Sequence, residues 1–235
     1  RDWRAQLGQP TLPFLAVELS AYCNEDDSKT FLVWCDGNKT TLNATDYNLP
    51  ALRTAQGAAL ALPFTTVVPN ADLGNLHPLM GSIHPAAKQP LGARIAEAAA
   101  YLAYGNASAM WRGPAAVSAH ASADTPGAVT VAFDVLAAAG PLALVNASAT
   151  CPPPMLSVYC TGAGFELLVG GRWVPAAARP NTHNASAVDV VAVSAGTDAA
   201  ATRVRYGVAD WPLLPVRNAQ GLGLPARLFD LPVAL

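Results

Sequence analysis

Two histidine-proline dipeptides, His77-Pro78 and His84-Pro85, lie in a stretch rich in Gly, Pro and Asn, and an imidazole there can exchange protons near neutral pH. The second closes Gly81-Ser82-Ile83-His84-Pro85 directly before a helical pattern, so His84 has a rigid neighbour and a reachable ring, as a general base requires. Asp72 stands just after an apolar strand pattern, where a carboxylate could orient such an imidazole and stabilise its protonated form, as in a serine triad. The same residue type also serves simply as a turn former. A nucleophile to complete the set is missing: the chain has neither a Gly-x-Ser-x-Gly elbow nor a Ser framed by a strand and a turn. His77 and His84 have no evident third ligand, so neither a metal nor another cofactor is expected.

The elements that must position these groups fall into two regions. Leu12 to Leu19 is an apolar run interrupted by Glu18, which suits a buried strand of a parallel sheet. A polar excursion follows, carrying Cys23, Cys35 and Glu25-Asp26-Asp27. Ala51 to Ala61 favours a helix and Thr65 to Val68 a strand. Lys88 to Tyr104 aligns Leu91, Ile95, Ala98 and Leu102 on one helical stripe, and Gly105 stands at the C-cap position. This alternation of strand and helix is the pattern of an α/β layered sheet. Beyond it, Ala128 to Val135, Leu142 to Val145, Phe165 to Val169, Val188 to Val193 and Thr202 to Tyr206 are short β-favouring runs between turn clusters, which predict an all-β sandwich. The expected organisation is an α/β unit over 1–105 and a β-sandwich over 106–235.

Composition narrows the functions available. The chain has 235 residues, 52% hydrophobic and 13% charged, enough apolar material for a packed core and too few charges for disorder. A formal charge of -2 leaves no electrostatic footprint for nucleic acid or an anionic membrane, and no stretch reaches the roughly 18 uninterrupted apolar residues of a span. Asn-x-Ser/Thr triplets begin at Asn38, Asn43, Asn106, Asn146 and Asn184, where about one would be expected by chance, so passage through a secretory lumen is expected. Four cysteines agree: Cys23 with Cys35 and Cys151 with Cys160 are the economical pairing among three connectivities, and their spacing is unlike a zinc site. The opening at Arg1, on the flank of the first strand, reads as that of a processed or truncated product.

Asp72-Leu73-Gly74, then Gly81-Ser82-Ile83-His84-Pro85 and Lys88-Gln89, resemble the catalytic-histidine segment of sialate O-acetylesterases, which are SGNH-type serine hydrolases. The resemblance extends to Asp2-Trp3-Arg4, Leu12-Pro13-Phe14, Leu102-Ala103-Tyr104-Gly105, Arg205-Tyr206, Trp211-Pro212, and Gly223-Leu224-Pro225-Ala226 with Phe229, in the family's order. It covers almost the whole chain and corresponds to the C-terminal part of the family's polypeptide. The fold it implies is the C-terminal half of an SGNH-like layered sheet followed by the β module. The implied activity is removal of acetyl esters from sugar hydroxyls, typically those of sialic acid, with His84 as base and Asp72 as the provisional acid. The family's nucleophile block and oxyanion-hole residues lie upstream and are not in this chain, so an N-terminal subunit or region is the implied partner and the chain alone is expected to be inactive. SGNH hydrolases commonly carry the acid three residues before the histidine, where this chain has Gly81. A secreted or lysosomal location follows from the resemblance and the acceptor triplets together. The rival expectation is a noncatalytic glycoprotein module that binds carbohydrate or a partner, with Trp111, Trp173, Tyr206 and Trp211 as possible stacking faces.

Overall fold

The computed structural model describes residues 2–22, 49–74, 84–85, 88–146, 164–193 and 200–234. The four cysteines, His77, Gly81 and the acceptor residues Asn38 and Asn43 lie outside the described residues.

The first region is built on two parallel strands. Helix α1 (Asp2–Gln6) precedes β1 (Phe14–Val17), which pairs in parallel with β2 (Thr65–Val68), Phe14 opposite Thr65 and Val17 opposite Val68. Between them runs α2 (Leu49–Gly57), continued by a 3-10 turn over Ala58–Ala61. Thr66, Val67 and Val68 are buried, as the β-branched run predicts. Helix α3 (Lys88–Leu102) packs over the pair and buries Arg94 and Ala98. It ends at Tyr104-Gly105, where Gly105 takes φ 68° and its N–H reaches Tyr101 C=O at 3.1 Å, so the expected glycine cap is present.

The second region carries β3 (Ala115–Ala121), β4 (Val129–Asp134), β5 (Leu142–Leu144), β6 (Phe165–Val169), β7 (Arg172–Pro180), β8 (Ala187–Ala192), β9 (Ala201–Tyr206), β10 (Val216–Asn218) and β11 (Phe229–Pro232). All-β character is borne out, but the expected sandwich is corrected. Among the described residues, the strands form a seven-stranded sheet of order β11-β9-β6-β7-β8-β4-β3 rather than two stacked sheets, with every named pair antiparallel. Its two edges meet: Ala121 N–H donates to Ala234 C=O and Ala234 N–H to Ala119 C=O, both at 2.9 Å, making a parallel bridge that brings the sheet close to a barrel. Val131, Leu167, Val190, Val204 and Tyr206 fill the interior. The Tyr206 ring is tilted against Phe165 and stacked on Phe229, with centroids 4.6 and 5.4 Å apart, and its hydroxyl accepts Val216 N–H at 3.0 Å. Strands β5 and β10 pair separately as a short antiparallel clip.

The two regions are stitched together by residues 209–227. The side chain of Arg53 on α2 is fully buried and donates to the carbonyls of Leu19, Ser20, Ala209 and Asp210 at 2.7–3.0 Å. A buried guanidinium requires such a set of acceptors. Asp210 Oδ1 accepts Leu49 N–H at 3.0 Å, which holds the start of α2.

Candidate functional site

In a parallel α/β sheet, loops leaving the carboxyl ends of the strands form the ligand crevice. Here those ends carry Glu18 after β1 and Asn70 to Asp72 after β2. The buried Glu18 carboxylate accepts the backbone N–H groups of Asn70 and Ala71 at 3.3 and 3.4 Å, and Asn70 Nδ2 donates back to Glu18 C=O at 3.1 Å. Arg227 Nε stands 3.8 Å from Glu18 Oε1. Glu18, which in sequence only interrupts an apolar run, thus locks the two strand ends together. A carboxylate inside such a run is the signal that could have identified it.

Asp72 follows on this platform with its side chain 6% exposed. Arg94 of α3 grips it bidentately, Nη1 to Oδ1 at 2.6 Å and Nη2 to Oδ2 at 2.9 Å, and Arg217 of β10 reaches Oδ2 at 2.9 Å. Arg94 Nη1 also donates to Pro69 C=O at 3.0 Å, and Arg217 Nη1 to Gly223 C=O at 3.2 Å. Burial alone would push the Asp72 carboxyl up. The hydrogen bond and charge of Arg94, joined by those of Arg217, outweigh it and hold the group below its ordinary value. Gly74, two residues on, is required by close packing: a Cβ there would lie 2.6 Å from Ala21 Cβ and 2.7 Å from Trp211 Cη2.

His84 is exposed, its neighbour Pro85 is buried, and α3 begins four residues later, so the imidazole is reachable and backed by a fixed point, as the sequence suggests. No hydrogen bond joins Asp72 to His84 among the described residues, and both Asp72 oxygens are already engaged by guanidinium groups. The structure therefore brings Asp72 together with Arg94 and Arg217 rather than with the histidine. Neither arginine stands out as a site residue in the sequence: Arg94 lies outside the helical stripe of Leu91, Ile95, Ala98 and Leu102, and Arg217 lies 145 positions from its partner.

Three of the four aromatic residues named as stacking faces are engaged elsewhere. Trp111 stacks on Tyr101 with centroids 4.4 Å apart, Trp173 lies under the Arg205 guanidinium at 4.2 Å, and Tyr206 is fully buried. Arg205 in turn holds the buried Glu166 carboxylate bidentately at 2.6 and 2.9 Å. Burial pushes Glu166 up and Arg205 offsets this only in part, so the group sits above its ordinary value. Among the described residues no group of three His, Cys, Asp or Glu is placed to hold a metal ion, and no helix is long and apolar enough to cross a membrane. The acceptor residues Asn106, Asn146 and Asn184 are exposed.

No protein-family description and no curated protein matches the sequence. Among solved structures, the chain is similar to a carbohydrate acetylesterase from Xanthomonas citri, with a TM-score of 0.68 and 27% identity over 98% of this chain. The match covers 43% of that protein, so the chain spans less than half the length of the acetylesterase it resembles.

Proposed function

We propose that this chain is the histidine-bearing part of a carbohydrate O-acetylesterase, with O-acetylated sialic acid as the preferred substrate. The observation that carries this reading is the likeness to a carbohydrate acetylesterase along 98% of the chain. The exposed His84 beyond the carboxyl end of β2 and the family-like residues around it add to that support. In this scheme a serine from an N-terminal subunit or region attacks the acetyl carbonyl while His84 takes its proton. The imidazolium then gives that proton to the departing sugar oxygen, leaving an acetyl-serine. His84 next takes a proton from water, whose oxygen attacks the acetyl carbon. Acetate leaves and the serine regains its proton. Oxyanion-hole donors, also outside this chain, stabilise both tetrahedral intermediates.

Asp72 acts in this proposal from the second rank: held by Arg94 and Arg217, it fixes the strand end from which the chain proceeds to His84. The exposed Asn-x-Ser sites suit a glycoprotein that is secreted or lysosomal. The test is acetate release from O-acetylated sialic acid and from a generic acetyl ester, with the chain alone and with the nucleophile-bearing segment co-expressed. Activity is expected only in the combined sample and should fall by about 10³-fold or more in His84→Ala. Undiminished turnover in that variant would remove His84 as the base. No activity in a folded, associated sample would favour the binding-module reading instead.

A further inference from the structure

Helix α3 ends in a tight reversal that presents a tyrosine and an asparagine close together. Ala103 N–H donates to Ala99 C=O at 2.8 Å, Gly105 N–H to Tyr101 C=O at 3.1 Å and Asn106 N–H to Ala100 C=O at 2.9 Å, so the backbone is held through Asn106. Gly105, at φ 68°, supplies the turn between the two side chains. Asn106 opens the triplet Asn106-Ala107-Ser108, and its carboxamide folds that triplet: Oδ1 accepts Ser108 N–H at 3.0 Å. The carboxamide nitrogen Nδ2, the atom that would carry a sugar, donates no hydrogen bond among the described residues, and the residue is exposed.

Two positions before it stands Tyr104. It is 85% exposed, the highest value among the large hydrophobic residues described, and its ring meets no other aromatic ring among them. Tyr101, one turn earlier, shows the contrast, since its ring is stacked on Trp111. A lone exposed aromatic residue needs no explanation in itself. Tyr104 differs in its neighbour: Cα atoms two positions apart lie within about 7 Å, so a sugar on Asn106 Nδ2 is within reach of the phenol ring. Of the triplets beginning at Asn38, Asn43, Asn106, Asn146 and Asn184, only that of Asn106 has an aromatic residue at this position; the others have Asp36, Thr41, Leu144 and Thr182. Asn184 makes the same turn, Oδ1 accepting Ser186 N–H at 2.8 Å, so it is the tyrosine and not the turn that sets Asn106 apart.

We propose that Asn106 carries an N-linked glycan whose first N-acetylglucosamine packs its apolar C–H face on the Tyr104 ring. The donor is an oligosaccharide on a polyprenyl diphosphate, delivered by a lumenal oligosaccharyltransferase. Asn106 Nδ2 loses a proton and bonds to the anomeric carbon of the sugar. The bond from that carbon to the diphosphate oxygen breaks, and the polyprenyl diphosphate leaves with the electron pair. A pyranose presents a face of axial C–H groups, and an aromatic face is an apolar cover of matching size. The stacked sugar shields the end of α3, where Ala103 and Tyr104 are exposed. Fifteen residues at a rise of 1.5 Å place this end of the helix about 22 Å from the end that follows His84, so the glycan stands clear of the histidine. The inference deepens the proposed function and rests on its secretory, glycoprotein part, not on the esterase chemistry.

The experiment is secretion of the full chain from a eukaryotic host and mass spectrometry of the tryptic peptide from Ile95 to Arg112, which holds both residues. Asn106 should be glycosylated in most molecules. Enzymatic removal of the whole glycan should then lower Tm by about 2 to 4 °C, whereas trimming to the first N-acetylglucosamine should leave it unchanged. In Tyr104→Ala the removal should cost less than about 1 °C, and Tyr104→Phe should keep the shift of the parent. The removing enzyme leaves a carboxylate at position 106 in every variant, so the difference between them belongs to the ring. A bare Asn106 beside a glycosylated Asn184 would overturn the inference and leave the glycoprotein reading standing; all triplets bare would overturn both. Equal shifts in the parent and in Tyr104→Ala would overturn it as well. Acetate release, read in the assembly with the nucleophile-bearing segment, decides the esterase reading whichever way the glycan result falls.

Discussion

Asp72→Asn keeps the shape of the side chain and removes its charge, leaving Arg94 and Arg217 without their shared counter-ion in a site where the carboxylate is 6% exposed. Removing one member of a buried ion pair costs about 3 to 5 kcal/mol, and the amide retains part of the hydrogen bonding, so the lower end, about 3 kcal/mol at neutral pH, is expected. For a chain of this size that is a fall in Tm of about 6 to 12 °C. The sign with pH follows from the lowered value of Asp72. The folded state holds the ionised carboxylate more firmly than the unfolded chain does, so the contribution is fully present above the unfolded value near pH 3.9 and is lost as pH falls through the lower folded value. Urea unfolding followed by tryptophan fluorescence should therefore show the full gap between parent and variant at pH 7, narrowing once the buffer is taken below about pH 4. A gap under about 1 kcal/mol at pH 7, or one of the same size in acid, would refute the assignment of Asp72 as a charged anchor.

Two further substitutions test the packing around this frame. Arg205→Met leaves the buried Glu166 without its partner and should destabilise the chain by about 3 kcal/mol at pH 8. Because the Glu166 carboxyl already lies above its ordinary value, the loss should shrink on acidification as the group takes up a proton, and chemical denaturation across a pH series would show it. Gly74→Ala sets a methyl group against Ala21 and Trp211, and should lower stability by about 1 to 3 kcal/mol with a shift in tryptophan emission; unchanged melting would mean that the Trp211 contact is not close.

The elements legible in the sequence are those whose signal is local. Thr65 to Val68 is a strand with the same limits in the structure because four β-branched residues precede a proline, and α3 follows the stripe from Leu91 to Leu102. Strand β7 is missed because Pro175, Pro180 and three alanines read as loop. Its two halves serve different neighbours, β6 up to Ala176 and β8 from there on. Pro175 C=O accepts from Val193, beyond the end of β8, so the missing N–H faces that side and leaves the ladder to β6 whole. The closure of the sheet was not legible for another reason: the seam joins Ala119 and Ala121 to Ala234, and periodicity carries no information on which distant edges meet. The same holds at the site. His84 and Asp72 stand out by residue type and context, whereas the arginines that decide what Asp72 can do come from a helix face and from a strand 145 positions away.

The acceptors of Arg53 also set a timetable. Two of its carbonyl partners, those of Leu19 and Ser20, precede it in the chain, but those of Ala209 and Asp210 come 156 and 157 residues after it. A ribosome adding 5 to 20 residues per second needs roughly 8 to 30 s to cover that distance. During that interval the guanidinium keeps its water, because half of the groups that will replace it have not been made. The α/β region therefore waits, hydrated at its centre, until nearly the whole β region has been synthesised.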